Sequence, residues 1–505
     1  MPGVYDAHTY GSITYGIGAT PAETFALSVD WTKSGSFTSR NEMQYLDGFV
    51  VRRGRRSYIK KNGEGFEQED VGELSATISD PDGDYNPFNT LSPLYGDLGP
   101  NRRMELSVRL LDGTTKYLMT GSISDIVPTR GIINKVRLEG VDGWETLKGQ
   151  KASITIALQE SVYCDDIIPL ILTAADWPAA WGHDLDTGQD IRLYWWIDRQ
   201  SAAQAIFDIA HSELGKVFIK SDGAMAFRNR FSVTAPVAEI TDEDYIRDSF
   251  DMKVPWETQR NIVTVIARPR VKQTLQAIWS LPSPVLLTAG QTYEFWPEYT
   301  YNNDTVPAKN VVSPVATTDY LVNTLEDGTG TNKTADLTVV KTDLGNKCKL
   351  SIVLGGGVDA YLRTLQVRGE PISNDNPVPL QAKTTVTNQD NLEFTLDVPW
   401  IQNVLAGDSF DDYLLSILSQ EKYYLKFTLK PNPSLQYNID LGDTIRFNSA
   451  LLGINSYFGV SYIEHKHTRK LGYTLTTIVL EPLPDIPSYW AFGSAEFGST
   501  TMFAP

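Results

Sequence analysis

The chain is poor in the residues that build reactive or metal-held centres. Among 505 residues there are two cysteines, Cys164 and Cys348, and five histidines, His8, His183, His211, His465 and His467. The cysteines stand far apart with no CxxC and no Cys/His grouping, so they read as buried free thiols rather than as a disulfide framework or a zinc site. Only His465 and His467 are close. An i, i+2 pair on a strand shares one face, and without a third ligand type that reads as a polar strand face, not a metal site. No run of about 18 apolar residues occurs, so no membrane-spanning helix is expected. The opening MPGVYDAHTYGSITYG lacks the basic head and apolar block of a secretory signal, which makes folding in a cytosol the expectation. Phosphate-binding and hydrolase motifs (GxxxxGK[ST], GxGxxG after a strand, HExxH, GxSxG) are missing as well.

Positive charge is scarce. Lys and Arg number 44 against 62 Asp and Glu, a formal charge of −18, and basic residues cluster only at Arg52, Arg53, Arg55, Arg56, Lys60 and Lys61. Tight binding to the outside of a nucleic acid needs cations to replace counterions, and this balance excludes it. An acidic surface suits a conduit past which DNA slides without sticking.

Hydrophobic residues make 41% and charged residues 21%, an ordinary globular composition, and the length predicts three to four domains. Residues 1–150 read as a β-domain: Leu74, Ala76 and Ile78 alternate with polar neighbours, as do Met104, Leu106, Val108 and Leu110. Asp112-Gly113 then supplies a tight hairpin turn to the strand Tyr117–Ile126. Residues 151–245 read as a small α/β insert. It has an apolar helix from Asp165 to Ala175, a second helix capped by Ser201 and stopped by Gly215, and strands Lys216–Ile219 and Ala224–Phe227 around a turn. Residues 281–371 read as an immunoglobulin-like β-sandwich. They interrupt a second β-domain (246–280 and 372–482) with a helix beginning at Ser409 and strands Tyr424–Leu429, Asp443–Phe447 and Tyr473–Leu480. Residues 483–505 read as an extended arm whose aromatics need a partner surface. The fold class is mainly β with an α/β insert.

The acidic groups have plain explanations. Asp80, Asp82 and Asp84 resemble the start of a calcium loop, but Tyr85 and Leu91 stand where an EF-hand needs Gly and Glu, so a turn is expected. Asp165-Asp166 and Asp411-Asp412 fit helix starts. Gly355-Gly356-Gly357 fits a hairpin turn. The eleven tryptophans are spread singly, as core or interface residues are. No catalytic residue, metal ligand or cofactor site is assigned, and the chain is expected not to be an enzyme.

The segment from Leu74 to Asp125, with LSATISDPDGDYNPFN, SPLYGDLGPNRR and YLMTGSISDI, resembles the first domain of tail-hub and minor tail proteins of long-tailed bacteriophages. There an "NPDG-Y-P-N" turn, a "SPLYG-L-PGR" crossing and an "LFTG-I-DI" strand follow in the same order. Asn101 departs from that pattern, where Gly is frequent. The resemblance continues collinearly through 174–231, 312–331, QYNIDLGDTIRF (436–447) and YWAFGSAEFG (489–498). It implies a virion protein assembled in the host cytoplasm: a homotrimeric hub at the distal end of the tail, with two tube-like β-barrel domains per chain. The implied partners are the distal tail ring protein, the tape-measure protein and tail fibre or tip proteins, with DNA passing through the lumen unbound. Such a lumen is expected to be acid-lined, with the basic cluster pointing away from it toward the acidic faces of neighbouring subunits or the ring above; the plain alternative is that the excess acid keeps the free subunit soluble. The two β-domains should then share one fold, because a trimer can match a six-fold tube only through two like surfaces per chain. A receptor- or carbohydrate-binding tail-tip protein is the alternative.

Overall fold

A computed structural model describes residues 23–37, 42, 46–55, 70–131, 134–149, 153–232, 234–254, 259–385, 392–420, 423–468 and 472–483. The C-terminal arm after Leu483, His8, and Arg56, Lys60 and Lys61 lie outside the described residues.

The protein is mainly β, and its spine is one sheet of twelve strands. The first six are β1 (Glu23–Val29), β2 (Leu46–Gly54), β3 (Glu73–Ser79), β4 (Arg103–Leu110), β5 (Thr115–Thr129) and β6 (Lys135–Val141). The last six are β7 (Ala238–Thr241), β8 (Asp251–Lys253), β9 (Tyr424–Leu429), β10 (Thr444–Ser449), β11 (Ile454–Thr468) and β12 (Thr474–Pro482). Period-two alternation sets which face is covered. Leu74, Ala76 and Ile78 of β3 are buried, as are Met104, Leu106 and Val108 of β4, and they meet Phe49, Val51, Val136 and Leu138 in one core. Each of the larger of these side chains stabilises the fold by about 1.5–3 kcal/mol on full burial. The β4–β5 hairpin turns at Asp112-Gly113 as its sequence predicts. Gly113 sits at φ +86°, and Asp112 accepts the Thr114 N–H at 2.8 Å.

Between the halves lies an α/β layer with its own core. Helices α1 (Gly143–Lys148), α2 (Cys164–Ala174) and α3 (Ala202–His211) pack with strands Ser153–Val162, Arg192–Ser201, Lys216–Ile219 and Met225–Arg228. Ser201 occupies the α3 N-cap position without capping it, since its hydroxyl donates to the Leu147 carbonyl at 3.3 Å.

Two boundaries differ from expectation. Ala238–Thr241 pairs in parallel with β10, so the second β-domain starts before residue 246. Ile262–Ala267 does not join the twelve-stranded sheet. It pairs with Val378–Lys383 and Glu393–Leu396 beneath α4 (Val404–Leu418), with Phe394, Phe410 and Leu414 in a separate core. That helix begins at Val404, not at Ser409, because Asn403 caps it by accepting from the Leu405 N–H. The interval 285–367 folds as strands of a six-stranded sheet, a three-stranded sheet and a two-stranded ribbon, with a core that includes Leu350, Ile352, Leu362 and Val367.

Candidate assembly interface

The twelve strands are two copies of one six-strand unit. The sheet runs β1-β4-β5-β6-β3-β2 and then β11-β12-β9-β8, with β10 on β11 and β7 on β10. The second half therefore reads β7-β10-β11-β12-β9-β8, the first order repeated position by position. The registers repeat too. Ser122 pairs with both Arg103 and Val141, and Gly459 pairs with both Thr444 and Glu481. Each is followed by a one-residue irregularity, between Ile123 and Asp125 in β5 and between Val460 and Tyr462 in β11. Continuing outward, Val51 opposes Leu74 where Met252 opposes Leu425. One difference stands: β1 is antiparallel to β4, whereas β7 is parallel to β10.

The halves join where β2 adds to the distal part of β11, from Gly48 opposite Thr468 to Gly54 opposite Tyr462. The joint is close-fitting. Gly54 is at φ +84°, and a Cβ there would stand 2.2 Å from the Ser461 carbonyl oxygen, so only glycine fits. On the core side His467 stacks on Phe49. His465 is buried and receives or donates a hydrogen bond at Thr476; burial, reinforced by Arg53, pushes its pKa down to about 3, so it is neutral.

The described members of the basic cluster, Arg52, Arg53 and Arg55, sit in this joint. Arg52 pairs across it with Glu464 at 3.0 Å and with Glu73 at 3.7 Å. Arg53, 2% exposed, reaches Asp440 at 2.7 Å, and Arg55 approaches Glu481 at 3.9 Å. Burial alone would push the Asp440 carboxyl up, but Arg53 and two hydrogen bonds from Ser221 hold it below the usual carboxylate value. The expectation that these arginines turn to neighbouring subunits is corrected: all three are partnered within the chain. The open face of the sheet carries paired charges. Lys135 meets Asp47, Arg137 meets Glu139 and Arg52 meets Glu464, so cations and carboxylates alternate there.

Residues singled out in the sequence are structural. Asp80 closes its own turn by accepting from the N–H groups of Asp84 and Tyr85. Asp166 accepts from the Tyr163 N–H at the start of α2, and Asp165 from the Gly188 N–H. Asp411 is buried in the middle of α4, not at its start. Gly356 and Gly357 turn at positive φ. Cys164 and Cys348 are free and buried. Among the described residues no group of three or more His, Cys, Asp or Glu could hold a metal ion, and no helix is long and apolar enough to cross a membrane.

No model of a known protein family matches the sequence, and no curated protein matches it. Solved structures do. The chain is similar to the tail protein from Neisseria meningitidis MC58, at 12% identity and TM-score 0.49 over 90% of this chain and 96% of that one. It is similar to the 43 kDa tail protein of prophage MuSo2 from Shewanella oneidensis, at 9% identity and TM-score 0.48 over 92% and 99%. A prophage tail protein from Listeria monocytogenes EGD-e aligns at 8% identity and TM-score 0.42 over 92% and 96%. These structural neighbours are tail proteins, two of them from prophages.

Proposed function

We propose that the chain is a structural virion protein of a long-tailed phage, three copies of which form the hub at the distal end of the tail. The hub joins the tube to the tip or baseplate, closes it, and opens for DNA during ejection. The observation that carries this reading is the duplicated six-strand unit in one continuous sheet: three chains then offer six like units to a six-fold tube, which a single unit per chain could not do. The hairpin tips support it. The β4–β5 turn exposes Leu111 (72%) and the corresponding β10–β11 turn exposes Leu451 (81%), so each chain presents two apolar points at equivalent places. The distal tail ring is the partner assigned to them, with the tape-measure protein and tip or fibre proteins as the others. DNA is cargo that passes unbound, and the chain has no catalytic role. Virions labelled on this protein and imaged at low resolution test the reading: label at the distal end of the tube supports it, and label on the fibres alone contradicts it.

A further inference from the structure

The joint inside the chain uses two edges, and among the described residues their counterparts add no further strand. The first unit contributes β2, and the second contributes the distal part of β11. By the repeated strand order, the counterpart of β2 is β8 in the second unit, and the counterpart of distal β11 is distal β5 in the first. Among the described residues β8 pairs only with β9, and beyond Ile123, which still bonds the backbone of Asn101 and Arg102, β5 pairs only with β6. The burial pattern agrees. Tyr462, Ile463 and His465 are buried under β2, whereas their counterparts Asp125, Ile126 and Pro128 are exposed or half-buried. Val51 is fully buried, whereas its counterpart Met252 is 42% exposed.

We infer that β8 of one copy adds to distal β5 of the next, repeating between chains the joint that β2 and β11 make within one. The inference rests on the trimeric reading above and specifies its contact. The β2–β11 register, carried over by the correspondences, sets Asp251 opposite Thr129, Met252 opposite Pro128, and Lys253 opposite Val127 in the partner. Because one edge type of each copy meets the other edge type of its neighbour, the contact is head-to-tail, and in the trimer proposed above three such contacts close a ring. Lys253 then lies diagonal to Asp125, within reach of a cross-strand charge pair. Pro128 fits as well. Its counterpart His465 opposes Val51 in the register in which the Arg55 N–H donates to the Ser461 carbonyl at 2.9 Å. By alternation, residue 465 and hence residue 128 direct their backbone groups to the joint. Proline therefore costs β5 no bond to β6, and the Pro128 carbonyl remains to accept the Met252 N–H. The missing donor discourages unrelated strands from adding to this edge.

The same alternation makes the Arg52–Glu464 pair, and so the Lys253–Val127 pair, a non-hydrogen-bonded one. There Cα atoms approach to about 4.5 Å, close enough for a disulfide. The full-length chain carrying Lys253→Cys and Val127→Cys should cross-link on mild oxidation into a covalently closed trimer, read as one slow band on a non-reducing gel. Each single variant should remain uncross-linked, since Cys164 and Cys348 are buried. A shifted pair, Lys253→Cys with Ser124→Cys, should cross-link at least tenfold less. A native trimer in which the matched pair cross-links no better than the shifted one overturns the pairing and leaves the trimer standing. A monomeric native mass overturns both.

Discussion

Arg53, on β2 of the first unit, and Asp440, on the loop before β10 of the second, meet at 2.7 Å, and Asp440 also accepts from both the backbone N–H and the hydroxyl of Ser221. One carboxylate thus fastens both β-units and the α/β insert. Burial of the Arg53 side chain is tolerable only with that partner, because removing one member of a buried pair leaves an uncompensated charge. Arg53→Met should destabilise the chain by about 3 kcal/mol. Arg53→Met combined with Asp440→Asn should cost less than the two single changes added, measured by urea unfolding of all four proteins as a double-mutant cycle.

A second prediction concerns pH. Asp142 caps α1 by accepting the Trp144 N–H and also holds the Gly72 N–H, and burial pushes its pKa up to about 7. A raised folded-state pKa means that its contribution is fully present below the unfolded value of about 4 and is lost as pH rises toward 7. Asp142→Asn cannot ionise, so its stability relative to the natural chain should climb between pH 4 and pH 7 by about 1 kcal/mol per unit. Urea midpoints at four pH values test this, and a flat difference would contradict it. His465 acts with the opposite sign. Its folded pKa near 3 makes the neutral ring stabilising above about 6.5, a contribution lost progressively as pH falls from there toward 3.

The exposed leucines at the hairpin tips are assigned to the tail ring and not to the fold. Leu111→Asp with Leu451→Asp should leave unfolding unchanged within about 0.5 kcal/mol, as surface changes do. The same variant should lose incorporation into tails at least tenfold, counted in purified particles. Normal incorporation would remove the leucines from the interface.

Absence of catalysis is also testable. Zymography on host peptidoglycan and turnover assays on common glycans should be blank with the purified chain. Reproducible cleavage abolished by one carboxylate substitution would sink this part of the reading.

Much of the fold was legible because period-two burial is local. The strands at Tyr424–Leu429 and Lys216–Ile219 and the Asp112-Gly113 hairpin stand where alternation and turn chemistry put them. The interface was not legible, for a physical reason. In β11 the irregularity at Val460–Tyr462 shifts the alternation by one residue, so the long strand Ile454–Thr468 shows no clean period. In β2 and just after it the buried residues include Arg53 and Arg55, whose partners Asp440 and Glu481 lie almost 400 residues or more away; read alone, such a run looks like a solvated cationic patch. The repeat itself was hidden because counterparts such as Val51 and Met252, or Pro128 and His465, share backbone roles but not side-chain chemistry.

The native mass of the purified full-length chain tests the central claim most directly. Two like units per chain in a six-fold setting require three chains, so the expected species is three times 56.2 kDa, about 169 kDa. A chain that stays monomeric at every concentration, or a dimer or tetramer, would contradict the account.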